Sequence, residues 1–538
     1  MFSKSIDFNE NYAARIVRVD EIHEIPEAHS IVKAVLGNDT VIVSKDTKVG
    51  DIVVFFPVGC CISEKYLHTH NLYDRSNAEL NSNYLSFKAL QIQHSELCAQ
   101  ENKSQDVLST IVELEARMKY MTGFFGKNGN VRCLKLRGEV SMGYVAPAES
   151  LEIVWPSLKN LIWSQLLGKP VNVVCGDPLC WKYIPNKRSK QEETVSYAMP
   201  WYKKTMRKLK KFDRLIPGFC KPHYDTAHLE RNAHLIDPEM VVTETVKVHG
   251  TSIWVANLPV RKKLHWYKKI LKALGFKIAD RENGLIYSTR RVIQNKWINP
   301  FASRAKNEPD NEYKAVFEEI KEFLTPGMTV YGEIVGYKPT GKCIQSPKGV
   351  DHDYGCKPGE HKFMPYRITF TSENDASNVV EWSILDVIEW TRQTREKMEN
   401  KNILMDLELL YRGKAGDQYR LYEQIKNSTP EEEWSVALTD FISSSEYFGW
   451  LPKRLESHEE FIKDKWRTAW CEALHNDKSM YMELPEPLCK NKKAPREGIV
   501  IRIEGDDLAR AWKCKTKAHA MLAQKAQDAG EADPEDLA

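Results

Sequence analysis

The first 160 residues alternate apolar and polar side chains over short distances, which is the pattern of half-buried β-strands. Such runs occur at 13–19, 31–35, 40–43, 51–56, 131–136 and 143–147. Between them, residues 65–124 are polar and carry apolar side chains at helical spacing, most clearly at 107–121. Strands so closely spaced predict an OB-like β-barrel module over residues 1–160, with a helical insertion at about 65–124. Another kind of small β-barrel fits the same pattern.

The rest of the chain changes character three times. Residues 161–236 have no regular period, and at 201–211 six basic residues accompany two aromatic ones. That stretch is either a surface that follows a phosphate backbone or a solvated basic helix. Strand patterns dominate 237–525, except at about 390–485, where helical spacing predicts an insertion, and the tail at 526–538 is acidic and predicted to be disordered. We therefore predict an α+β protein in which a connecting basic segment joins the barrel module to an antiparallel-sheet domain.

Composition narrows the functional classes. The 538 residues include 77 lysines and arginines and 74 aspartates and glutamates, so the net charge is only +3. Nucleic-acid binding would therefore depend on local basic patches rather than on overall charge. The 12 cysteines form no CxxC pair and complete no zinc set with histidine, so we expect reduced thiols and a cytoplasmic location. Neither a signal peptide nor an apolar run of spanning length is evident, so we expect no membrane partner.

The stretch at 240–252 carries the first candidate for chemistry. Strand-forming residues lead to Lys247, and a turn of small residues with His249 and Gly250 follows. A lysine amine becomes a good nucleophile once it loses its proton, and a glycine lets a ligand approach the backbone closely. An exposed lysine at a strand end has the same local sequence, so this residue needs partners elsewhere in the chain.

Two glutamates are candidates for those partners. Glu333 lies between glycines in an apolar strand, where a carboxylate is costly unless something pairs with it. Glu497 precedes a strand in which isoleucines at 499, 501 and 503 point one way and Val500 and Arg502 point the other. Either glutamate is suited to hold a metal ion. A core arginine as the partner of Glu333, and an exposed strand start for Glu497, are the structural alternatives.

Basic and aromatic residues complete the candidate set. Lys513 and Lys515 are two apart on a predicted strand, so both ammonium groups face the same side and can meet one phosphate. Arg290 ends another strand, and Trp382 begins a predicted strand at 382–386, from which it could stack on a base. The alternatives are a solvated edge strand for the lysines and a core position for the tryptophan.

Together and in this order, these stretches resemble the motifs of the covalent nucleotidyltransferase superfamily, which contains polynucleotide ligases and capping enzymes. His249 and the Thr-Ser that follows Gly250 favour the RNA ligases over the DNA ligases. A barrel-like module before the catalytic domain, together with KYIPNKR and FCKPHYDTAHLERN, is similar to the Deinococcus-type nick-sealing RNA ligases. The matching stretches are KVHGTS for the nucleophile motif, IYSTRR for the arginine motif, YGEIVG for the third motif, EWSILDV for the aromatic motif, REGIVIRI for the Glu-Gly motif and WKCK for the final Lys-x-Lys motif.

The resemblance implies an activity and its cofactors. Lys247 would attack the α-phosphorus of ATP and become lysyl-AMP, with Mg²⁺ or Mn²⁺ bound. AMP would then pass to an RNA 5′-phosphate, and a 3′-hydroxyl would displace it to seal a nicked duplex with RNA on the 3′-hydroxyl side. We expect a monomer. His249 and Gly250 would belong to the nucleophile motif. The resemblance also implies that Arg290 contacts the ribose or the terminal phosphate, that Glu333 binds the ribose hydroxyls or the metal, and that Trp382 stacks on adenine. Glu497 would bind the metal, and Lys513 and Lys515 would bind the α-phosphate.

Some features depart from the family pattern or leave alternatives open. Val246 stands where some relatives carry glutamate, and Arg290 and Arg291 are adjacent, so the functional arginine is ambiguous. Capping guanylyltransferases and DNA ligases share the motifs, but they carry an OB domain after the final lysine motif, and only 23 residues follow Lys515. An RNA-binding barrel joined to a degenerate, non-catalytic domain is the other alternative.

Overall fold

The computed structural model describes most of the chain as two compact units, Met1–Ile184 and Pro185–Ala538. The predicted basic stretch at 201–211, most of the insertion at 390–485 and most of the acidic tail lie outside the described residues, as does Arg291. The described residues are 2–3, 8–100, 104–183, 214–221, 226–290, 292–295, 311–416, 485–505 and 510–528.

The described strands of the first unit are short. They are β1 Phe2–Ser3, β2 Ala14–Arg18, β3 Glu21–Glu24, β4 Ile31–Leu36, β5 Asp39–Ser44, β6 Ile52–Pro57, β7 Cys60–Ile62, β8 Leu134–Leu136, β9 Glu139–Ser141, β10 Gly143–Pro147, β11 Pro170–Val171, β12 Val173–Val174, β13 Asp177–Pro178 and β14 Cys180–Lys182. Antiparallel pairing arranges them in five sheets, with the orders β10–β6–β2–β11, β3–β4–β5, β1–β12–β13, β7–β14 and β8–β9.

The OB-like barrel is not confirmed. Local predictions hold, because β4 and β5 form the expected hairpin around Gly37, whose φ of 63° suits a tight turn. No closed barrel forms among the described strands, however, since β6 and β7 are consecutive in the chain but belong to different sheets. Which strands pair is decided by contacts between distant segments, and local alternation carries no information about them.

The first unit also extends past the predicted boundary at residue 160. Strand β11 pairs with β2, and β14 pairs with β7, so residues 170–182 belong to this unit rather than to a connecting segment. The predicted helical insertion is present as two helices that pack on each other, and Phe87 and Met118 are buried between them. The helices of this unit are α1 Glu64–Thr69, α2 Tyr84–Cys98, α3 Gln105–Tyr120 and α4 Ser150–Val154.

Two five-stranded sheets form the framework of the second unit. Its strands are β15 Ala227–His228, β16 Val241–Lys247, β17 Thr251–Arg261, β18 Arg281–Thr289, β19 Met328–Gly336, β20 His361–Thr371, β21 Val379–Glu381, β22 Leu409–Lys414, β23 Gly498–Ile503 and β24 Arg510–Lys515. One sheet has the order β15–β24–β23–β16–β22, and the other has β18–β17–β19–β20–β21. All pairs are antiparallel except β15 with β24, so the predicted antiparallel-sheet domain is mostly as expected.

Alternation along β23 separates a core face from a polar face. Ile499, Ile501 and Ile503 point to one side of the sheet, as predicted, and are buried in the main hydrophobic core of this unit. Val500 and Arg502 face the other way and line a cavity between the two sheets. The sequence pattern therefore places the chemistry-bearing side chains of this sheet on the face that looks towards the second sheet.

One prediction about the region after β20 is wrong, and a second is tested only over residues 390–416. Residues 382–386 are not a strand, because Ser383 caps a helix and forms a reciprocal capping box with Asp386. The predicted helical insertion is interrupted by β22, which pairs with β16. None of the described helices is both long and apolar enough to span a lipid bilayer. The described helices of this unit are α5 Trp266–Ala273, α6 Glu312–Ile320, α7 Ile384–Lys397 and α8 Lys517–Asp528.

Gly250 lies where the chain passes from β16 to β17 against the backbone of β19. A Cβ atom at this position would be 2.4 Å from the carbonyl oxygen of Ile334. The glycine carbonyl also accepts a hydrogen bond from Gln345 Nε2 at 2.7 Å. Close packing of two backbones, rather than the approach of a ligand, is therefore the structural reason for a glycine here.

We expect Gly250→Ala to lower the thermal stability of the protein, because the added methyl group must displace the backbone of β19. The cost should be about 1–3 kcal/mol, the usual range for overpacking, and calorimetry measures it. Gly126→Ala is a matched control, since a Cβ there has ordinary contacts of 3.6 Å or more. Equal stability of the two variants would contradict the packing explanation.

Candidate active site

Lys247 is the last residue of β16, and its neighbours across the sheet are fixed by strand register. It pairs with Gly498 on β23, which in turn pairs with Lys515 on β24. Paired residues of adjacent strands point to the same face of a sheet, so the two lysines flank a position without a side chain. A Cβ at Gly498 would lie 2.0 Å from the carbonyl oxygen of Cys514, so only glycine fits there.

Glu497 lies just before this glycine and binds both lysines. Its Oε1 is 2.7 Å from Lys247 Nζ and 2.8 Å from Lys515 Nζ. The glutamate side chain is only 3% exposed, whereas Lys247 is 20% exposed and can still be reached from the cavity. One buried carboxylate therefore holds two ammonium groups in place, and the amine of Lys247 is presented to the space between the sheets.

The charge state of Glu497 follows from this arrangement. Burial alone raises the pKa of a carboxyl group, because the charged form loses its hydration. The ammonium groups of Lys247 and Lys515 outweigh that effect and hold the pKa of Glu497 well below its usual range. Glu497 is therefore ionised at neutral pH and serves as the counter-charge of the lysine pair.

Lys513 is the third lysine of the cluster, and Glu497 compensates its charge only in part. It pairs with Val500 on β23 and lines the same cavity. Burial, together with repulsion by Lys515 and Lys247, lowers the pKa of Lys513 to about 7. Its charge therefore changes near neutral pH, and an anionic ligand in the cavity would favour the charged form.

The second sheet supplies the opposite wall of the cavity. Ser252 on β17 pairs with Glu333 on β19, and the serine Oγ donates a hydrogen bond of 2.7 Å to Glu333 Oε1. The glutamate is buried, as its position in an apolar strand predicted. Arg290, immediately after β18, lines the cavity too. Cations and a carboxylate on distant strands thus meet around one space.

Three histidines lie beside Glu497 on the side away from this space. The ring of His249 is 4.6 Å from that of His519 and 5.0 Å from that of His352, centroid to centroid. His249 Nδ1 is 3.7 Å from Glu497 Oε2. Ligand atoms of His249, Glu497 and His519 all lie within 4.8 Å of one another, so these three are a candidate metal set.

Most of the predicted site residues come together in the structure. Lys247, Arg290, Glu333, Lys513 and Lys515 line the cavity. Glu497 contacts Lys247 and Lys515. His249 and Gly250 lie in the turn after Lys247, where the backbone N–H of His249 donates a 2.6 Å hydrogen bond to the hydroxyl of Tyr354.

Trp382 is the exception among the predicted residues. Its side chain does not line the cavity but packs against the core, with its ring centroid 5.3 Å from that of Phe370. Trp382 lies between β21, which ends at Glu381, and the helix cap Ser383, so it does not belong to a strand. The predicted role of Trp382 in stacking on a base is therefore not supported by its position, and the core alternative fits.

An ionic cluster at the cavity wall was missed by the sequence analysis. Glu381 binds Arg367 at 2.7 Å and Arg502 at 3.1 Å, and all three residues line the cavity. Two tyrosines, Tyr331 and Tyr366, line it as well and are the flat side chains available to a base. The only signal in the sequence was the polar position of Arg502 within an apolar strand.

Comparisons with known proteins give only a distant similarity. No protein-family model and no curated protein matches the chain. Solved structures with a similar chain trace include Naegleria gruberi RNA ligase as an arginine-to-alanine mutant with ATP and Mn, with a TM-score of 0.47, 14% identity and coverage of 96% of this chain and 99% of that chain. The same ligase with PPi gives a TM-score of 0.45, 13% identity and coverage of 94% and 97%. These values are too low to assign the family or the function of this chain.

We expect Glu497→Gln to destabilise the protein at pH 7 by about 3–5 kcal/mol, because two partly buried ammonium groups lose their counter-charge. The pKa of Glu497 is lowered in the folded state, so its contribution is present at neutral pH and is lost as the pH falls through the folded pKa. The stability deficit of the variant should therefore shrink on strong acidification, which denaturant titrations at several pH values measure.

Glu389→Gln is the matched control, since that carboxylate is exposed and pairs with Arg392 on the surface of α7. It should leave the unfolding midpoint at pH 7 unchanged. A Glu497→Gln variant as stable as this control would show that the lysines do not depend on the glutamate.

Proposed function

We propose that this protein is an ATP-dependent RNA ligase that works through a lysyl-AMP intermediate on Lys247. The observation that carries the proposal is the position of Lys247: its amine borders a cavity that also receives Lys513, Lys515, Arg290 and Glu333. The motif order along the chain supports it independently. The finer assignment to the Deinococcus-type nick-sealing group stays a prediction.

In the first step, the neutral amine of Lys247 attacks the α-phosphorus of ATP. A nitrogen–phosphorus bond forms, and the bond from that phosphorus to the pyrophosphate oxygen breaks, so pyrophosphate leaves. Lys513 and Lys515 stabilise the negative charge that develops on the phosphoryl oxygens. The lysine must give up its proton, and Glu497 Oε1, at 2.7 Å, lies within hydrogen-bonding distance of that amine.

The donor set around Lys247 fits a divalent cation in part. Carboxylate oxygens such as those of Glu333 and Glu497 suit Mg²⁺ or Mn²⁺, as the sequence predicted. The two imidazoles near Glu497 suit softer metals better, so His249 and His519 do not extend a magnesium set. A bound cation would neutralise phosphate charge, and the glutamates would hold it directly or through water.

The later steps transfer AMP and then release it. An RNA 5′-phosphate oxygen attacks the phosphorus of lysyl-AMP, which frees Lys247 and leaves AMP joined to the RNA through a pyrophosphate bond. A 3′-hydroxyl then displaces AMP and closes the strand. We further propose that the first unit binds the nicked duplex and that Tyr331 or Tyr366, rather than Trp382, contacts the base of the nucleotide.

Incubation with α-labelled ATP and Mg²⁺ should give a labelled protein band on a denaturing gel, because the phosphoramide bond is covalent. Lys247→Ala should abolish the band, while Lys493→Ala, which removes an exposed lysine outside the cavity, should retain it. A protein labelled by GTP but not by ATP would instead be a capping-type guanylyltransferase. Absence of any labelled band from intact protein would leave only non-catalytic RNA binding.

We expect the affinity for a non-hydrolysable ATP analogue to fall as the pH rises above neutrality. Lys513 has a pKa of about 7 in the free protein, so above that pH the bound phosphates must draw a proton onto it. The loss should approach tenfold per pH unit between about pH 7.5 and 9, and calorimetric titrations measure it. Lys513→Arg keeps its charge and should flatten this dependence, while Lys493→Arg should not. A pH profile unchanged by Lys513→Arg would contradict the role of Lys513.

Sealing of a nicked duplex should be faster when the 3′-hydroxyl end is ribose rather than deoxyribose, because the 2′-hydroxyl is the group that separates RNA from DNA. One hydrogen bond of ~1.4 kcal/mol would give about a tenfold difference in rate. Single-turnover sealing with pre-adenylylated 5′ ends measures the effect without the first step. Equal sealing rates for ribose and deoxyribose 3′ ends would contradict the proposal that the enzyme requires RNA on the 3′-hydroxyl side.

A further inference from the structure

Helix α5 projects from the second unit with no buried face. It connects β17 to β18, and those two strands pair from Ile253 with Thr289 as far as Arg261 with Arg281, so the helix is held at both ends by a hairpin. None of its residues is buried. Trp266 is 74% exposed and Leu274 is 69% exposed, and the other exposed apolar side chains are Tyr267, Ile270, Leu271 and Phe276. An apolar surface of this size in water is unfavourable unless something covers it.

The apolar side chains occupy one face of the helix. At about 100° of rotation per residue, Trp266, Ile270, Leu274, Tyr267 and Leu271 fall within roughly 140° of arc. The three lysines of the helix, at 268, 269 and 272, fall on the remaining arc. The segment is therefore strongly amphipathic, although no core formed by the described residues receives its apolar face.

The charge of this segment is strongly positive. Between residues 261 and 281 the chain has eight lysines and arginines and a single carboxylate, Asp280, which pairs with Lys272. Lys263, Lys268, Lys269 and Lys277 have no ion pair with any residue in the described part of the chain. A chain with a net charge of +3 thus concentrates positive charge beside an exposed apolar helix face.

We propose that residues 261–281 form a docking surface for an anionic lipid bilayer. Trp266, Ile270 and Leu274 would enter the boundary between headgroups and acyl chains, and the lysines would lie against acidic headgroups. Each lysine near an anionic leaflet contributes about 1 kcal/mol, which is roughly fivefold in binding. Sequence analysis predicted no membrane partner because no segment spans a bilayer, but a helix that lies on the surface does not need to span it.

Two other polyanionic partners fit these residues less well. RNA would use the lysines, but its phosphate backbone has no counterpart for Ile270, Leu271 and Leu274. An acidic protein groove would receive the apolar face, but the positive charge extends beyond the helix to Lys263 and Lys277 and along the strand ends. The positive charge extends over the whole tip of the hairpin, and the apolar helix is attached to a strand at each end. Both features suit contact with an extended flat surface such as a lipid bilayer.

Sedimentation of the full-length protein with vesicles tests this proposal. The protein should bind vesicles of phosphatidylcholine with phosphatidylserine and should not bind vesicles of phosphatidylcholine alone. Lys268→Glu with Lys269→Glu should weaken binding by at least about 25-fold, from roughly fivefold per lysine. Trp266→Ser with Ile270→Ser and Leu274→Ser should abolish sedimentation. The matched control combines Val380→Ser, Lys397→Glu and Lys401→Glu, which are exposed positions elsewhere on the same unit, and it should sediment like the unmodified protein.

Hydrogen exchange locates the contact and guards against misfolded variants. Unmodified protein should gain protection at residues 264–278 when phosphatidylserine vesicles are added, and covalent labelling by ATP should be unaffected by either α5 variant. Failure to sediment with phosphatidylserine vesicles would overturn the proposal. So would a loss of RNA binding in the α5 variants without any protection by vesicles, which would assign the surface to RNA. Protection by an acidic protein but not by vesicles would equally overturn it.

Discussion

The contact between Glu497 and the two lysines is the interaction on which the rest of the site depends. A buried carboxylate is costly by itself, and two neighbouring ammonium groups repel each other. Glu497 Oε1 lies 2.7 Å from Lys247 Nζ and 2.8 Å from Lys515 Nζ, so the carboxylate and the two ammonium groups neutralise one another and Lys247 is held beside Lys515. Burial and the two neighbouring ammonium groups, which Glu497 offsets only in part, lower the pKa of Lys513 to about 7. Structure, electrostatics and the proposed chemistry thus follow from one carboxylate.

Glycines allow the strands to bring these groups so close. Gly498 occupies the position between Lys247 and Lys515 in the sheet, and Gly250 lets the turn after Lys247 press against the backbone of β19. Through β19 the turn is connected to Glu333 on the opposite wall. Residues about 250 positions apart in the chain, such as Lys247 and Glu497, therefore lie within hydrogen-bonding distance of each other.

Sequence reasoning succeeded where a periodic strand decided the answer and failed where pairing between distant segments decided it. Alternation along β23 and β24 was enough to place Lys513 and Lys515 on one face, and the isoleucines of β23 in the core. The prediction that Trp382 begins a strand was wrong because Ser383 and Asp386 form the cap of a helix that starts two residues later. The ion cluster of Glu381 with its two arginines, and the five sheets of the first unit, depend on pairings that no local pattern contains.

Three lysines border the cavity, Lys247, Lys513 and Lys515, and in the proposed mechanism only Lys247 carries the adenylate. Protein incubated with ATP and Mg²⁺ can be digested at a pH that preserves the phosphoramide, and the AMP-bearing peptide can be sequenced by mass spectrometry. We expect AMP on Lys247 alone, since this amine is exposed to the cavity at the strand end while Glu497 holds it in position. Adenylate found on Lys513 or Lys515, or no adenylate on any peptide, would contradict the assignment of Lys247 as the nucleophile.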